Sequence, residues 1–444
     1  MPDPIRKIAL SRYAAQRLAA LPELARELDA PGPFGAEEMA AALAQSRAGD
    51  EAALKRRLRR LRQRVLLRTM ARDLEGKADL AEVCATLSSL AELGIRAALE
   101  WLAEPEFIVV AMGKLGGGEL NVSSDIDLVF VHPDGGEPEH LERAGRKLIA
   151  LLGEVTEDGF AFRVDMRLRP YGESGPLVTS FEALEAYFIT QGREWERYAW
   201  IKARAVSGLE SHRKILETIV RPFVYRKYLD YGTLGAMRRL HAEVRRDVAR
   251  RELAEHVKLG PGGIREIEFI AQALQLVRGG RDPELQERPT LRILSLLSKK
   301  NLLPENTTAE LTDAYLFLRN VEHRLQYLDD AQRHDLPQDA GDRARIAQMA
   351  GFDSWEAFHA RLDAHRAAVT RHFQAVFAEQ APESEVGPWP DHPRLAALRA
   401  SQRYAQLPDD SRRRLDRLVP LLAAAAGKTP DPEATLARAA DLLE

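Results

Sequence analysis

The 444-residue sequence contains one cysteine, Cys84. A lone cysteine excludes an internal disulfide and a cysteine-built zinc cage, and in an apolar-periodic stretch it reads as a small buried hydrophobe in a reducing compartment. Neither sign of charge dominates, since 64 Lys and Arg face 67 Asp and Glu for a net charge of -3. Nucleic acid is therefore not an expected partner, and any anion site must be local. No run of about 18 apolar residues is present to span a bilayer, and the start MPDPIRKIALSRYAAQ lacks the apolar core of a signal peptide. A cytoplasmic protein with no membrane partner is expected. There is also no histidine pair at zinc-motif spacing and no Gly-x-Ser-x-Gly elbow, which leaves triad-type hydrolysis without support.

With 45% hydrophobic and 30% charged residues, the composition is that of a globular chain of about two to four domains. Residues 8–104 are rich in Ala, Leu, Arg and Glu, with Leu54, Leu58, Leu61, Val65 and Leu74 near helical spacing. Pro31-Gly32-Pro33 breaks this helical region, and Gly49-Asp50 opens its third helix. The texture changes at residues 107–112, a short apolar run that suits a buried strand, and a second strand is expected at 126–131. Residues 139–157 have helical periodicity, and residues 160–168 alternate like a strand with Phe160, Phe162, Val164, Met166 and Leu168 on one face. Helices resume from Phe181 to about Glu379, and residues 380–393, with four prolines, read as a linker to a last helical segment. The expected divisions are 1–104 (helical), 105–205 (strand-bearing), 206–380 (helical) and 381–444 (linker and the start of a further helical segment). The fold class is α+β, predominantly helical.

The richest stretch is Gly113-Lys114-Leu115-Gly116-Gly117-Gly118 followed by Ser124-Asp125-Ile126-Asp127. The glycines let backbone N–H groups converge on a phosphate. Asp125 and Asp127, at i and i+2 at a strand start, share one face about 6–7 Å apart, a hard-oxygen pair suited to Mg²⁺. An EF-hand is excluded, because the third oxygen ligand and the turn glycine are missing. Asp165 lies on the polar face of a later strand. If that strand adjoins the pair, three carboxylates can hold two ions about 3.5–4 Å apart for an in-line phosphoryl displacement, with Arg167 and Arg169 neutralising phosphate beside them.

Three further motifs carry less. Gly427-Lys428-Thr429 resembles the end of a P-loop, but Leu422 stands where the first glycine belongs and no strand precedes it. The basic run from Lys55 through Arg68 reads as the solvated face of a packed helix, with docking to an acidic protein or nucleic acid as the alternative. Gly260-Pro261-Gly262-Gly263 leads into a helix whose first turn carries Arg265, Glu266 and Glu268, with Arg265 and Glu266 as the candidates for a role. These two residues either mark a plain helix start or act at a nucleotide.

From Met112 to Leu128, with Val164 to Pro170, Ser174 to Val178, Trp195-Glu196-Arg197 and Gly262 to Phe269, the chain resembles the nucleotidyltransferase superfamily. More narrowly, it resembles the glutamine synthetase adenylyltransferase/adenylyl-removing family over roughly residues 107–337. The resemblance implies a polymerase-β-like mixed sheet flanked by helical domains. Members are two-headed, one head removing AMP from a synthetase tyrosine and the other adding it. The helical lead and the Asn121-Val122-Ser123-Ser124 run match the N-terminal, removing head, so the chain is expected to be that part of a longer protein. The reaction implied is phosphorolysis of adenylyl-tyrosine to ADP. Asp125, Asp127 and Asp165 are then expected to hold Mg²⁺, as two ions, with Asp165 also a candidate base. Gly116, Gly117, Ser124, Arg167 and Arg169 contact phosphate, with Arg265 and Glu266 as further nucleotide contacts. Gly118 departs from the family, which usually has a basic residue there. Implied partners are adenylylated glutamine synthetase, the PII signal protein, phosphate and adenine nucleotide. The rival readings are adenylylation of the synthetase with ATP and a non-catalytic PII-sensing module.

Overall fold

The computed structural model describes residues 7–44, 50–226, 253–377, 389–407, 409–427, 429 and 431–443. Most of the expected linker, the first part of the helical stretch after residue 226, and Lys428 lie outside the described residues. The chain divides into two compact units, Met1–Val376 and Phe377–Glu444.

The first unit begins with helices α1 (Arg12–Ala20), α2 (Ala36–Ala44), α3 (Glu51–Leu74) and α4 (Leu80–Leu102). Side-chain caps fix two starts: Asp50 accepts from Ala53 N at 2.6 Å and Asp79 from Glu82 N at 2.8 Å. The basic face of α3 is not solvated, which corrects the sequence expectation. Arg59, Arg62 and Arg68 are buried. Arg59 donates to the carbonyls of Gly159, Lys55, Leu151 and Glu154, Arg62 forks onto Asp330 at 2.6 and 2.7 Å, and Arg68 joins Glu27 and Glu38. Only Arg56 and Arg60 keep largely exposed side chains among its ion-paired arginines.

After α4 come β1 (Ile108–Ala111), the short α5 (Gly113–Gly116), β2 (Ile126–His132), α6 (Pro138–Gly153), β3 (Val164–Asp165), β4 (Val178–Ser180), α7 (Phe181–Thr190), α8 (Glu194–Trp200), β5 (Arg204–Ala205) and α9 (Glu210–Val224). β1 and β2 are antiparallel with Ala111 opposite Leu128, and β5 joins the far side of β1. β3 and β4 both run parallel to β2, β3 at its start and β4 at its end. Residues 107–112 are wholly buried, which is why that segment reads as an uninterrupted apolar run. The strand expected over 160–168 is only Val164–Asp165. Its alternation is spent in loop contacts: Phe162 is buried, Arg163 turns to Asp125, and residues 166–169 form a turn closed by Arg169 N on Met166 O.

The second helical layer is α10 (Ile264–Arg278), α11 (Thr290–Lys299), α12 (Glu305–Tyr327), α13 (Ala340–Met349) and α14 (Trp355–Phe377). α12 packs on α10 and α11 and also reaches α1 and α4, so helices distant in sequence close around the sheet. In the second unit, α15 (Pro393–Ala400), α16 (Gln402–Ala405), α17 (Asp409–Ala426) and α18 (Pro432–Leu443) surround Leu395, Val419 and Ala440. Gly427 directly follows α17, so helix rather than strand precedes the P-loop-like residues.

Candidate active site

The start of β2 positions the acids. β2 and β3 pair with Asp127 opposite Asp165, so these two side chains leave the sheet on the same side, and Asp125 two residues earlier shares it. All three line one cleft of about 460 Å³ with Ser124, Arg167, Arg265, Gly113, Lys114, Trp195, Tyr198, Lys202, Lys258, Glu268 and His334 among its walls. Gly113 is held at φ +51°, and a Cβ there would lie 2.6 Å from Asp127 Oδ2. The glycine thus permits both the left-handed turn and the close approach of the carboxylate.

Asp127 is the most desolvated of the three. Burial first, then the charges of Asp165 and Asp125, push its carboxyl up to about 6. Asp125 accepts from Arg163 Nε at 2.8 Å, and Asp165 accepts from the Arg167 backbone N and Nε at 2.8 Å each. Burial raises Asp165, but the Arg167 hydrogen bonds outweigh it and the net direction is downward. With two carboxylates turned to arginines, no three acidic or imidazole side chains among the described residues converge tightly enough to hold a metal. The donor chemistry nevertheless fits Mg²⁺, since three carboxylates share one cleft.

The same cleft is also lined by cationic side chains. Lys114 reaches the buried Glu322 at 2.8 Å, and burial, only partly opposed by Glu322, pulls its ammonium down to about 8. Lys202 sits 2.6 Å from Glu119 and 3.5 Å from Glu268; burial opposes its charge, yet the two carboxylates carry its pKa upward. Lys258 and Arg265 line the cleft without an ion-pair partner among the described residues.

The cleft brings together Asp125, Asp127, Asp165, Ser124, Arg167 and Arg265, and leaves four expected residues outside. Gly116 packs behind the turn, where a Cβ would fall 2.1 Å from Lys202 O, and Gly117 faces Glu119 and the Lys202 side chain. Arg169 spends its guanidinium on the carbonyls of Met166, Glu173 and Gly175. Glu266 turns back to accept from Gly262 N at 3.1 Å. Arg163, Lys202, Lys258, Glu268 and His334 had no assigned site role from sequence. Of these, Arg163 carried a signal on the polar face of the alternating segment beside Asp165, and Glu268 one in the first turn of the glycine-led helix.

A glycine turn feeding an Asp-x-Asp strand, with a third aspartate in register on a mixed sheet between helical layers, defines a nucleotidyltransferase fold of the polymerase-β-like kind. Residues 4–218 match the family described as glutamate-ammonia ligase adenylyltransferase, and residues 236–377 match that described as GlnD PII-uridylyltransferase. The bifunctional glutamine synthetase adenylyltransferase/adenylyl-removing enzyme of Aromatoleum aromaticum is 48% identical over 100% of this chain and 53% of its own length. That of Chromobacterium violaceum is 48% identical over 99% of this chain and 55% of its own, and that of Nitrosomonas eutropha 52% over 83% and 43%. The chain belongs to this adenylyltransferase/adenylyl-removing family, and it spans about half the length of the curated relatives it matches. No helix among the described residues is long and apolar enough to cross a membrane.

Proposed function

We propose that the cleft removes AMP from an adenylylated tyrosine of glutamine synthetase by phosphorolysis. The observation that carries a nucleotidyl-transfer reading is that Asp125, Asp127 and Asp165 line one cleft together with Lys258 and Arg265, which have no ion-pair partner among the described residues. Carboxylates for cations and cationic groups for phosphates within one cleft suit a reaction that is mostly positioning and charge neutralisation. The choice of removal over addition rests on the resemblance of the helical lead and of Asn121-Val122-Ser123-Ser124 to the removing head.

In this reading a phosphate oxygen attacks the α-phosphorus, the bond from that phosphorus to the phenolic oxygen breaks, and ADP and tyrosine result. Asp125, Asp127 and Asp165 would hold Mg²⁺, which when bound supplies charge neutralisation at the attacking and leaving oxygens. Lys258 and Arg265 hold the phosphoryl oxygens, Ser124 contributes a hydroxyl at the acidic wall, and Trp195 and Tyr198 offer aromatic surface for adenine. Gly113 fixes Asp127, and the Arg167 hydrogen bonds favour the ionised form of Asp165. A phenol of ordinary pKa about 10 leaves as phenolate without a dedicated acid. The same reading makes PII a regulatory partner, consistent with the match of residues 236–377, and places the protein in the cytoplasm.

The test mixes the chain with adenylylated synthetase, Mg²⁺ and ¹⁸O-phosphate. Formation of ADP labelled in its β-phosphoryl group and bridging oxygen is expected. AMP released without phosphate, or ATP formed from pyrophosphate, would assign the cleft a different reaction.

A further inference from the structure

The loop from α5 to β2 contains no ladder of its own, yet residues 119–123 are buried, so its backbone and side-chain polar groups need partners from elsewhere. One face of α12 supplies them. Tyr315, Arg319, Glu322 and Gln326 recur at spacings that stack them along a single helix face, and each is at most 1% exposed. Tyr315 Oη donates to Glu119 Oε1 at 3.3 Å, and Arg319 Nη2 donates to Glu119 O at 2.6 Å and also to Asn121 Oδ1. Glu322 Oε1 accepts from Lys114 Nζ at 2.8 Å, and Gln326 Oε1 accepts from Ser123 N at 3.0 Å. The row therefore holds both the short helix α5, through Lys114, and the end of the loop, through Ser123. Lys114 is next to Gly113, whose Cα lies against Asp127, and Ser123 is two residues before Asp125.

Buried polar side chains are costly unless satisfied, and a hydrophobic helix face could not have met the polar groups of this buried loop. We propose that this row on α12 is a positioning device: a helix about 200 residues downstream presets the glycine turn and the Asp125 approach, so that divalent-cation binding at the acidic cleft depends on Glu322 and Gln326. The inference rests on the cleft being a metal site. Neither residue touches the ion; both act through Gly113 and Asp125.

The test is Mn²⁺ binding to the full chain, followed by electron paramagnetic resonance without any substrate. Wild type should bind Mn²⁺ and Asp127→Asn should lose it; failure of either removes the metal reading itself. Given that binding, Glu322→Gln and Gln326→Met should each weaken Mn²⁺ affinity about 10-fold, the usual scale for supporting groups behind metal ligands. Gln326→Glu keeps an acceptor for Ser123 N and should return to within about threefold of wild type. Arg324→Met severs the buried pair of α12 with Asp73 and does not touch the loop, so it should lower the melting temperature and leave Mn²⁺ affinity alone. Unchanged affinity in Glu322→Gln, no rescue by Gln326→Glu, or equal weakening in Arg324→Met would overturn the positioning role. If Gln326→Met does not fold, Glu322→Gln decides, since it preserves the shape of the side chain.

Discussion

The proposed reaction turns on Asp127, the most desolvated of the three aspartates in the cleft. Asp127→Asn keeps the side-chain volume and removes the charge, so the expected result is a fall in phosphorolysis of at least about 10²- to 10³-fold, the scale seen when a single electrostatic contact in a transition state is lost. Circular dichroism should show an unchanged fold, and a variant retaining a tenth of wild-type turnover would exclude Asp127 from the site. Gly113 makes a sharper case because it lacks any functional group. An alanine there adds one methyl at φ +51° and 2.6 Å from Asp127 Oδ2. The backbone strain costs about 1–2 kcal/mol, and a carboxylate displaced by about 1 Å costs on the order of 10²-fold in rate. Gly113→Ala should therefore lose far more activity than stability, read by steady-state kinetics and urea unfolding of the same preparation. Equal losses would make Gly113 a folding residue only.

At the scale of elements, α3 shows how a charge pattern misleads. Arg59 and Arg60 are neighbours in sequence, yet Arg59 is fully buried among the carbonyls at the end of α6 while the Arg60 side chain is 59% exposed. Arg59→Met leaves several buried carbonyls without donors and should destabilise the protein by roughly 2–4 kcal/mol. Arg60→Ala should change stability by less than about 0.5 kcal/mol, and chemical denaturation of the two variants separates the cases. Both arginines look alike in a helical run, because amphipathic periodicity reports which residues are apolar and not which polar ones have buried partners. The same blindness hid the row on α12. By contrast, residues 107–112 and 126–131 were legible as strands because burial on both faces demands continuous apolar side chains. β4 and β5, with three and two residues, are too short to leave a period. The Asp-x-Asp pair and the polar-face position of Asp165 were legible from alternation, although the strand carrying Asp165 is much shorter than its alternating sequence and its pairing with β2 was only a condition. Lys202 and Lys258 were not, since only the tertiary fold brings β5 and the turn before α10 to the cleft.

At the scale of the whole molecule, the burial of polar groups between the two helical layers gives the fold a pH dependence of definite sign. His323, on α12, is fully buried, and neither ring nitrogen has a hydrogen-bond partner among the described residues. Burial first, then the charge of Arg319, lowers its pKa to about 3, despite the opposing carboxylates of Asp73 and Glu322. His256, stacked on His334, is lowered to about 4 by burial and by that neighbour. An unfolded chain protonates these rings near 6.5, whereas the folded chain does not until pH 3–4, so the unfolded state binds more protons throughout that window. Stability must fall as pH falls through it. Asp127 works in the opposite sense in metal-free protein: its folded carboxyl holds a proton up to about 6, so it favours the folded state as pH drops toward 4. The total slope mixes these terms, and a difference between variants isolates one. His323→Phe keeps a ring of similar size and removes the titration. Between pH 7.5 and pH 5, wild type should lose about 2 kcal/mol more stability than His323→Phe, measured by urea unfolding in chelator at each pH. Parallel pH profiles for the two proteins would mean that His323 finds a proton or a partner in the folded state, and that the packing of α12 against α3 is looser than its buried Asp73, Arg324 and Tyr327 contacts require.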